Sequence, residues 1–352
     1  MRSTTPLPTI DEIRDGLTAA GAVRVGVAPA EVLLRARQAL LDRRDAGFAD
    51  SMQFTWRNPE RSTDPSRTVP EARSVIVAAY PCDAEEEPHP GGAVARVARY
   101  ARTDYYGSLR ASLREVARQL KASGHRAVAL LDDNALVDRE VAHLAGIGWF
   151  GKNANILVPG VGSHVVLGSV ITTAEYRHDE PVADGCGTCT RCLIECPTGA
   201  IVAPGVIDAR RCLAWILQRP GSVPLEFREA IGDRIYGCDD CQDSCPPTVR
   251  LSRRHRSARD QTGPGQWVDV WDLLDSSDDD ILERYGRWYI AGRDPRWLRR
   301  NALIVIGNTA DPYDPEVFRR LAPFLTSPDD VLAEHAGWAR RRLTERATVV
   351  PS

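Results

Sequence analysis

The chain has 352 residues, 43% hydrophobic and 26% charged, an ordinary globular composition with room for two or three domains. No apolar run approaches the roughly 20 residues a bilayer span needs, and the opening MRSTTPLPTI has no apolar core of a secretory signal. A membrane location is therefore not expected, and the cytoplasm is the default. A net charge of −3 and a pI near 6.2 exclude binding nucleic acid with the whole surface, so any such contact needs a local patch.

Residues 1–60 read as helical, with AEVLLRARQALLDRRDAG carrying apolar residues at helical spacing and ending in Gly47. RNPERSTDPSRTVPEAR reads as an ordered, Pro-rich loop. SVIVAAYP (74–81) is a buried strand by its β-branched run, and DAEEEPHPGG (83–92) is an exposed acidic turn. SLRASLREVARQLKASG predicts an amphipathic helix stopped at Gly124. RAVALL (126–131) is a second buried strand, LVDREVAHLAG a further helix and HVVLGSVITT (164–173) another strand. Strands alternating with helices indicate an α/β layer. Beyond about residue 255, RWLRRNALIVIGNTA and DPEVFRRLAPFLT read as successive amphipathic helices, too few to define a solenoid.

Eight of the nine cysteines fall between these two regions. Clustered cysteines without an export signal point to metal or redox chemistry rather than disulfides. Cys186, Cys189, Cys192, Cys196 and Pro197 form C-x2-C-x2-C-x3-C-P, the ferredoxin spacing in which the fourth thiol ligates a second 4Fe-4S cluster. A partner group exists in Cys238, Cys241, Cys245 and Pro246. Ile235 stands where its first thiol belongs, and Cys212 is free to replace it. One cluster then takes Cys186, Cys189, Cys192 and Cys245, the other Cys196, Cys212, Cys238 and Cys241. A structural zinc needs only four ligands around one ion, which this crowding exceeds. Cys82 receives no role.

The glycines of GIGWFGKN do not follow a strand as a dinucleotide fingerprint requires. The strand RAVALL ends in Asp132, Asp133 and Asn134. A carboxylate at a strand end can act as an acid, but an Asp or Asn just before a helix is more often a cap, and spacing alone favours the cap.

MQFTWRNPERSTDP (52–65), RYARTDYYGSLR (99–110), LLDDNALVDREVAHLAGIGWFGKN (130–153), the cysteine motifs, RIYGCDDCQDSCP (234–246) and RDPRWLRRNALIVIGN (293–308) together resemble the epoxyqueuosine reductases. The resemblance implies reduction of epoxyqueuosine to queuosine at the tRNA wobble position, with electrons passing through two 4Fe-4S clusters to cobalamin. It implies Asp132 as proton donor and Arg139 at the final basic position of the family's D-S-A-P-V-L-E-[RK] stretch. It also implies Arg57, Lys152 and Asn153 as residues lining the corrinoid or substrate. This chain departs at DDNALVDR, where Asp133 competes as the acid, and at Tyr106, where the family has His.

The expected fold is an α/β N-terminal cobalamin-binding domain (1–178), a ferredoxin-like double 4Fe-4S cluster module (179–250) and a C-terminal α-helical, HEAT-like region (251–352). Two arginine groups are candidate phosphate contacts for a tRNA anticodon loop. The first holds Arg250, Arg253, Arg254, Arg256 and Arg259, the second Arg293, Arg296, Arg299 and Arg300. An external electron donor completes the partners, with a monomer the default. The alternatives are a corrinoid and iron-sulfur reductase of a small molecule, dehalogenase-like, and a non-catalytic electron carrier.

Overall fold

A computed structural model describes residues 5–82, 86–252 and 263–348. The chain divides into two compact units whose segments interleave: residues 1–83, 104–208 and 240–258 form the first, and 84–103, 209–239 and 259–352 the second. None of the helices among the described residues is long and apolar enough to cross a membrane.

In the first unit, α1 (Ile10–Ala19) opens on a capping box in which Thr9 Oγ1 accepts from Glu12 N at 3.2 Å and Thr9 N donates to Glu12 Oε2 at 2.7 Å. β1 (Arg24–Pro29) follows, then α2 (Leu34–Asp45). The expectation of an all-helical 1–60 is corrected here. RVGVAP is six residues long with a central glycine, and it becomes a strand because it pairs along its whole length with β2 (Ser74–Pro81). β2 is buried at all eight positions, as a central strand covered on both faces must be. α3 (Tyr105–Ala122) is capped by Asp104, whose Oδ1 accepts from Gly107 N at 3.0 Å. β3 (Ala127–Leu130), α4 (Asp138–Leu144) and β4 (Val165–Thr172) complete the layer.

The sheet runs β1-β2-β4-β3, every neighbouring pair antiparallel. The α/β layer thus exists without parallel crossovers. Val75, Val77, Ile171, Leu130, Leu136, Val141 and Ile147 fill the core between this sheet and α4. β1 lies so near α4 that a Cβ on Gly26 would stand 2.0 Å from the Ala145 carbonyl oxygen.

The second unit holds a three-stranded sheet, Arg234–Tyr236, Val94–Val97 and Trp267–Asp269. The last strand lies in a stretch expected to be helical only. α5 (Arg296–Thr309), α6 (Pro315–Leu325) and α7 (Asp330–Thr348) follow, with α7 packed on both α5 and α6. Leu303, Ile304, Val305, Ile306, Leu321, Ala336 and Leu343 sit in its core.

Candidate active site and cluster loops

The loop from β3 to α4 carries the three residues whose roles spacing left open. Asp132 adopts φ +48°, the left-handed region that Asp tolerates better than most side chains. Asp133 folds back on the chain, its Oδ1 accepting from Ala135 N at 2.8 Å. Asn134 contributes its carbonyl, which accepts from Ser62 Oγ at 2.6 Å. Ser62 belongs to the short helix Pro59–Ser62, capped by Asn58, so the MQFTWRNPERSTDP stretch anchors this loop. Asp133 thus closes a turn and does not cap α4, whose N-cap Val137 offers no side-chain bond, while Asp132 makes no hydrogen bond with any described residue.

Asp132 is open to the outside, yet protein crowds its carboxylate enough for desolvation to raise its pKa. Arg139 and Arg110 oppose the rise and Asp133 adds to it. Tyr106, from the first turn of α3, faces both Asp132 and Asp138. Burial first, and then those carboxylates, push its phenol well above 10, so it stays neutral. The position that the family fills with His therefore still presents a hydrogen-bonding group. Cys82, at the end of β2, is buried and also faces Tyr106. Asp138 at the start of α4 has a buried Oδ1 with no hydrogen-bond partner among the described residues, and desolvation lifts its pKa to about 8, with the charge of Asp132 adding to the rise. Sequence reading passed over Asp138, because an Asp in the first turn of a helix is commonplace. Arg57, Arg110 and Arg139 make no ion pair or side-chain hydrogen bond with described residues.

Cys192 and Cys241 sit on two short helices, Arg191–Ile194 and Asp240–Asp243, which touch one another, and Cys186, Cys189, Cys196 and Cys245 lie in the loops that flank them. None of them is in a disulfide. Burial raises the pKa of Cys192, and Cys245, Cys186 and Cys189 raise it further; Cys245 likewise senses Cys186 and Cys189. The four thiols assigned to one cluster are therefore near neighbours, although Cys245 lies 49 residues beyond Cys196 in sequence. Among the described residues no three Cys, His, Asp or Glu side chains crowd a point as a single ion requires. Cys196 Sγ accepts from Ala200 N at 3.2 Å, a bond of the kind that stabilises a ligating thiolate. Cys212 and Cys238 belong to the second unit.

Lys152 and Asn153 reach both cysteine loops. Lys152 Nζ donates to the carbonyls of Gly187 at 2.7 Å and Cys189 at 2.9 Å. Asn153, 2% exposed, donates from Nδ2 to the Cys241 carbonyl at 3.1 Å and accepts from Asn155 N on Oδ1 at 3.2 Å. A cleft of about 710 Å³ is lined by Arg191, Glu195, Asp240, Asp243, Ser244, Pro246 and Val249 of this module. It holds none of the acid candidates.

Of the second arginine group, Arg300 is buried away from any phosphate, whereas Arg293 and Arg296 are exposed. Arg300 is 0% exposed and donates to the carbonyls of Ile216, Leu217, Arg219 and Gly221 at 2.6–3.2 Å. Arg299 pairs with Asp278, Arg296 with Asp294 and Asp329, and Arg293 donates to the Gly286 carbonyl. These guanidiniums are committed within their own unit. In the first group, Arg253, Arg254, Arg256 and Arg259 lie outside the described residues, as does the side chain of Arg250.

Residues 185–248 match the family model of a 4Fe-4S double cluster binding domain, and residues 62–138 match that of epoxyqueuosine reductase QueG, DUF1730. The epoxyqueuosine reductase of Gloeobacter violaceus is 37% identical over 315 residues, 86% of this chain and 98% of that one. That of Bacillus subtilis is 30% identical over 346 residues, covering 96% and 88%. A crystal structure of an epoxyqueuosine reductase with an epoxyqueuosine-modified tRNA-Tyr stem loop superposes with a TM-score of 0.86 at 28% identity, over 96% of this chain and 91% of that one. A Bacillus subtilis structure with its catalytic aspartate loop swung out of the active site gives 0.85 at 28% identity, over 95% and 90%.

Proposed function

We propose, because this chain belongs to the epoxyqueuosine reductase family, that it is a cytoplasmic oxidoreductase reducing epoxyqueuosine to queuosine at the tRNA wobble position. The observation that carries this is the likeness, over 96% of the chain, to an epoxyqueuosine reductase whose structure holds an epoxyqueuosine-modified stem loop. The site supports it with an open, desolvated carboxyl and a gathered thiol quartet carried by one unit.

The double cluster domain passes electrons inward from a separate donor. Cys186, Cys189, Cys192 and Cys245 hold one cluster, and Cys196, Cys212, Cys238 and Cys241 the other. Lys152 and Asn153 serve cofactor binding by pinning the loops that carry Cys189 and Cys241. The reading requires one further cofactor, cobalamin, which when bound supplies a low-potential metal for the epoxide. Residues of the unit that carries Asp132 fit it. Arg57, Arg110 and Arg139 have donors not taken up by described residues, and the carboxamide rim of a corrinoid is rich in acceptors. Asp132 delivers the proton to the departing oxygen, with Arg139 beside it tempering the rise in its pKa. A similar enzyme is named for a catalytic aspartate loop; here that part falls to the β3–α4 loop. On this reading residues 1–178 bind the corrinoid, 179–250 the clusters, and 251–352 form a HEAT-like helical region. Phosphate contacts come from Arg57, Arg139 and the 250–259 group, and the protein works as a monomer.

The test is conversion of an epoxyqueuosine-bearing anticodon stem-loop by anaerobic, reconstituted protein, followed by mass spectrometry of the nucleoside. Wild type carrying about eight irons is expected to convert it. Asp132→Asn is expected to lose at least about a hundredfold in rate while keeping its iron. An iron-replete wild type that leaves the nucleoside untouched overturns the assignment.

A further inference from the structure

Taking the oxygen out of an epoxide as water and leaving a carbon–carbon double bond consumes two electrons and two protons. Both carbon–oxygen bonds break, one π bond forms, and the same oxygen receives both protons. Asp132 carries one proton, so the reaction proposed above, on which this inference rests, needs a second source within reach of it.

Asp138 has the placement for that task. Its Oδ1 is buried and has no hydrogen-bond partner among the described residues, a condition far costlier for an ionised oxygen than for a protonated one. The groups facing it come from three elements. Asp132 and Asp133 lie on the β3–α4 loop, Arg139 on α4, and Tyr106 on α3. Arg110 of α3 faces Asp132, and Cys82 of β2 faces Tyr106. The neighbouring carboxyls are otherwise engaged: Asp133 is bonded to Ala135 N, and Glu140 is held by Arg35 at 2.6 and 3.0 Å.

We propose that Asp138 is the second proton source, handing its proton to Asp132 after Asp132 has protonated the leaving oxygen. Asp132 first protonates the epoxide oxygen as one carbon–oxygen bond opens. The Asp138 O–H bond then breaks and its proton restores Asp132. Asp132 protonates the same oxygen again as the second carbon–oxygen bond breaks, the double bond forms and water leaves. The two electrons come from the external reductant through the clusters, and solvent returns one proton to each carboxyl. Among the described residues no hydrogen bond joins the two aspartates, or either of them to the Tyr106 phenol that both charges reach, so the transfer runs through a water or a turn of that phenol, whose O–H can both accept and donate. Burial, and then the charge of Asp132, lift Asp138 to about 8, so its proton is present at neutral pH. Asp138 acts through Asp132 rather than on the substrate.

Two measurements test this. Infrared titration of the full chain as purified is expected to show a protonated-carboxyl carbonyl band at pH 7. The band fades as pH rises through about 8 and is missing from Asp138→Asn. In the reconstituted enzyme, Asp138→Asn is expected to lower kcat at least about tenfold with KM little changed, and to remove the wild type's decline in rate above that pH. Asp138→Glu, which keeps an acid, restores most of the rate. The proposal is overturned if wild type converts epoxyqueuosine and the Asn variant keeps both its rate and its pH profile, or if wild type lacks the band. An iron-replete wild type that converts nothing overturns the activity itself, and the proton role with it.

Discussion

Asp132 and Asp133 are adjacent, chemically identical and differently employed. Asp133 spends an oxygen on Ala135 N, whereas Asp132 is turned out at φ +48° with its carboxylate unbonded. Asp133→Asn keeps an acceptor oxygen for that turn and is expected to cost less than about tenfold in turnover, against the hundredfold for Asp132→Asn. Steady-state rates on the stem-loop separate the two. Asp138 also leaves a mark on stability. Its carboxyl ionises near 3.8 in the unfolded chain and near 8 in the fold. Between those values the unfolded state has released a proton that the native state retains, so stability falls as pH rises, by about 1.4 kcal/mol per pH unit at most. Urea unfolding at pH 5 and pH 8 is expected to show this decline, flattened in Asp138→Asn.

Elements in this protein are positioned by single contacts that substitutions can remove. The segment after Phe150 ties down both cysteine loops through Lys152 and Asn153. Asn153→Ala strands a buried carbonyl and a turn N–H, at about 1–3 kcal/mol for each group left unsatisfied. It is expected to speed iron loss under chelator, read from visible absorbance, with Lys152→Met doing so more weakly because its partners are exposed. In the second unit α7 carries His335, 0% exposed, with Val223 N donating to its Nε2 at 3.2 Å and Nδ1 lying 2.6 Å from the Val331 carbonyl. One ring nitrogen therefore accepts while the other donates, the pattern of a neutral imidazole. Burial holds its pKa down to about 4, well below its unfolded value of 6.5. As pH falls from 6.5 toward 4 the unfolded chain gains a proton the native state refuses. Stability is lost over that window, on the order of 3 kcal/mol. Denaturation midpoints at pH 7 and pH 4.5 measure it, and His335→Gln is expected to reduce the difference.

Charge across the molecule is not distributed as its sequence suggests. Arg293, Arg296, Arg299 and Arg300 form a dense cationic stretch, yet each is committed to carbonyls or carboxylates of its own unit. Arg57 and Arg139 remain uncommitted. In stem-loop binding measured against salt, Arg57→Gln is expected to reduce the slope of log K against log salt by about 1, while Arg299→Gln leaves it unchanged.

Residue spacing sufficed for everything that depends on near neighbours along the chain. The C-x2-C-x2-C-x3-C-P run, the β-branched 74–81 strand and the helix ending before Gly124 were legible because a ligand loop, a pleat and a helical face are set within a few residues. Family likeness then supplied the activity. What spacing could not reach was anything decided by partners distant in the chain. RVGVAP became a strand through β2, the sheet proved antiparallel, and Arg300 was buried among carbonyls some 80 residues away. Asp138, an unremarked first-turn residue, became a carboxyl with one oxygen shut away from water. Side-chain identity is a property of sequence, but desolvation is a property of packing. Whether a charge is free, paired or kept neutral follows from what the fold lays against it.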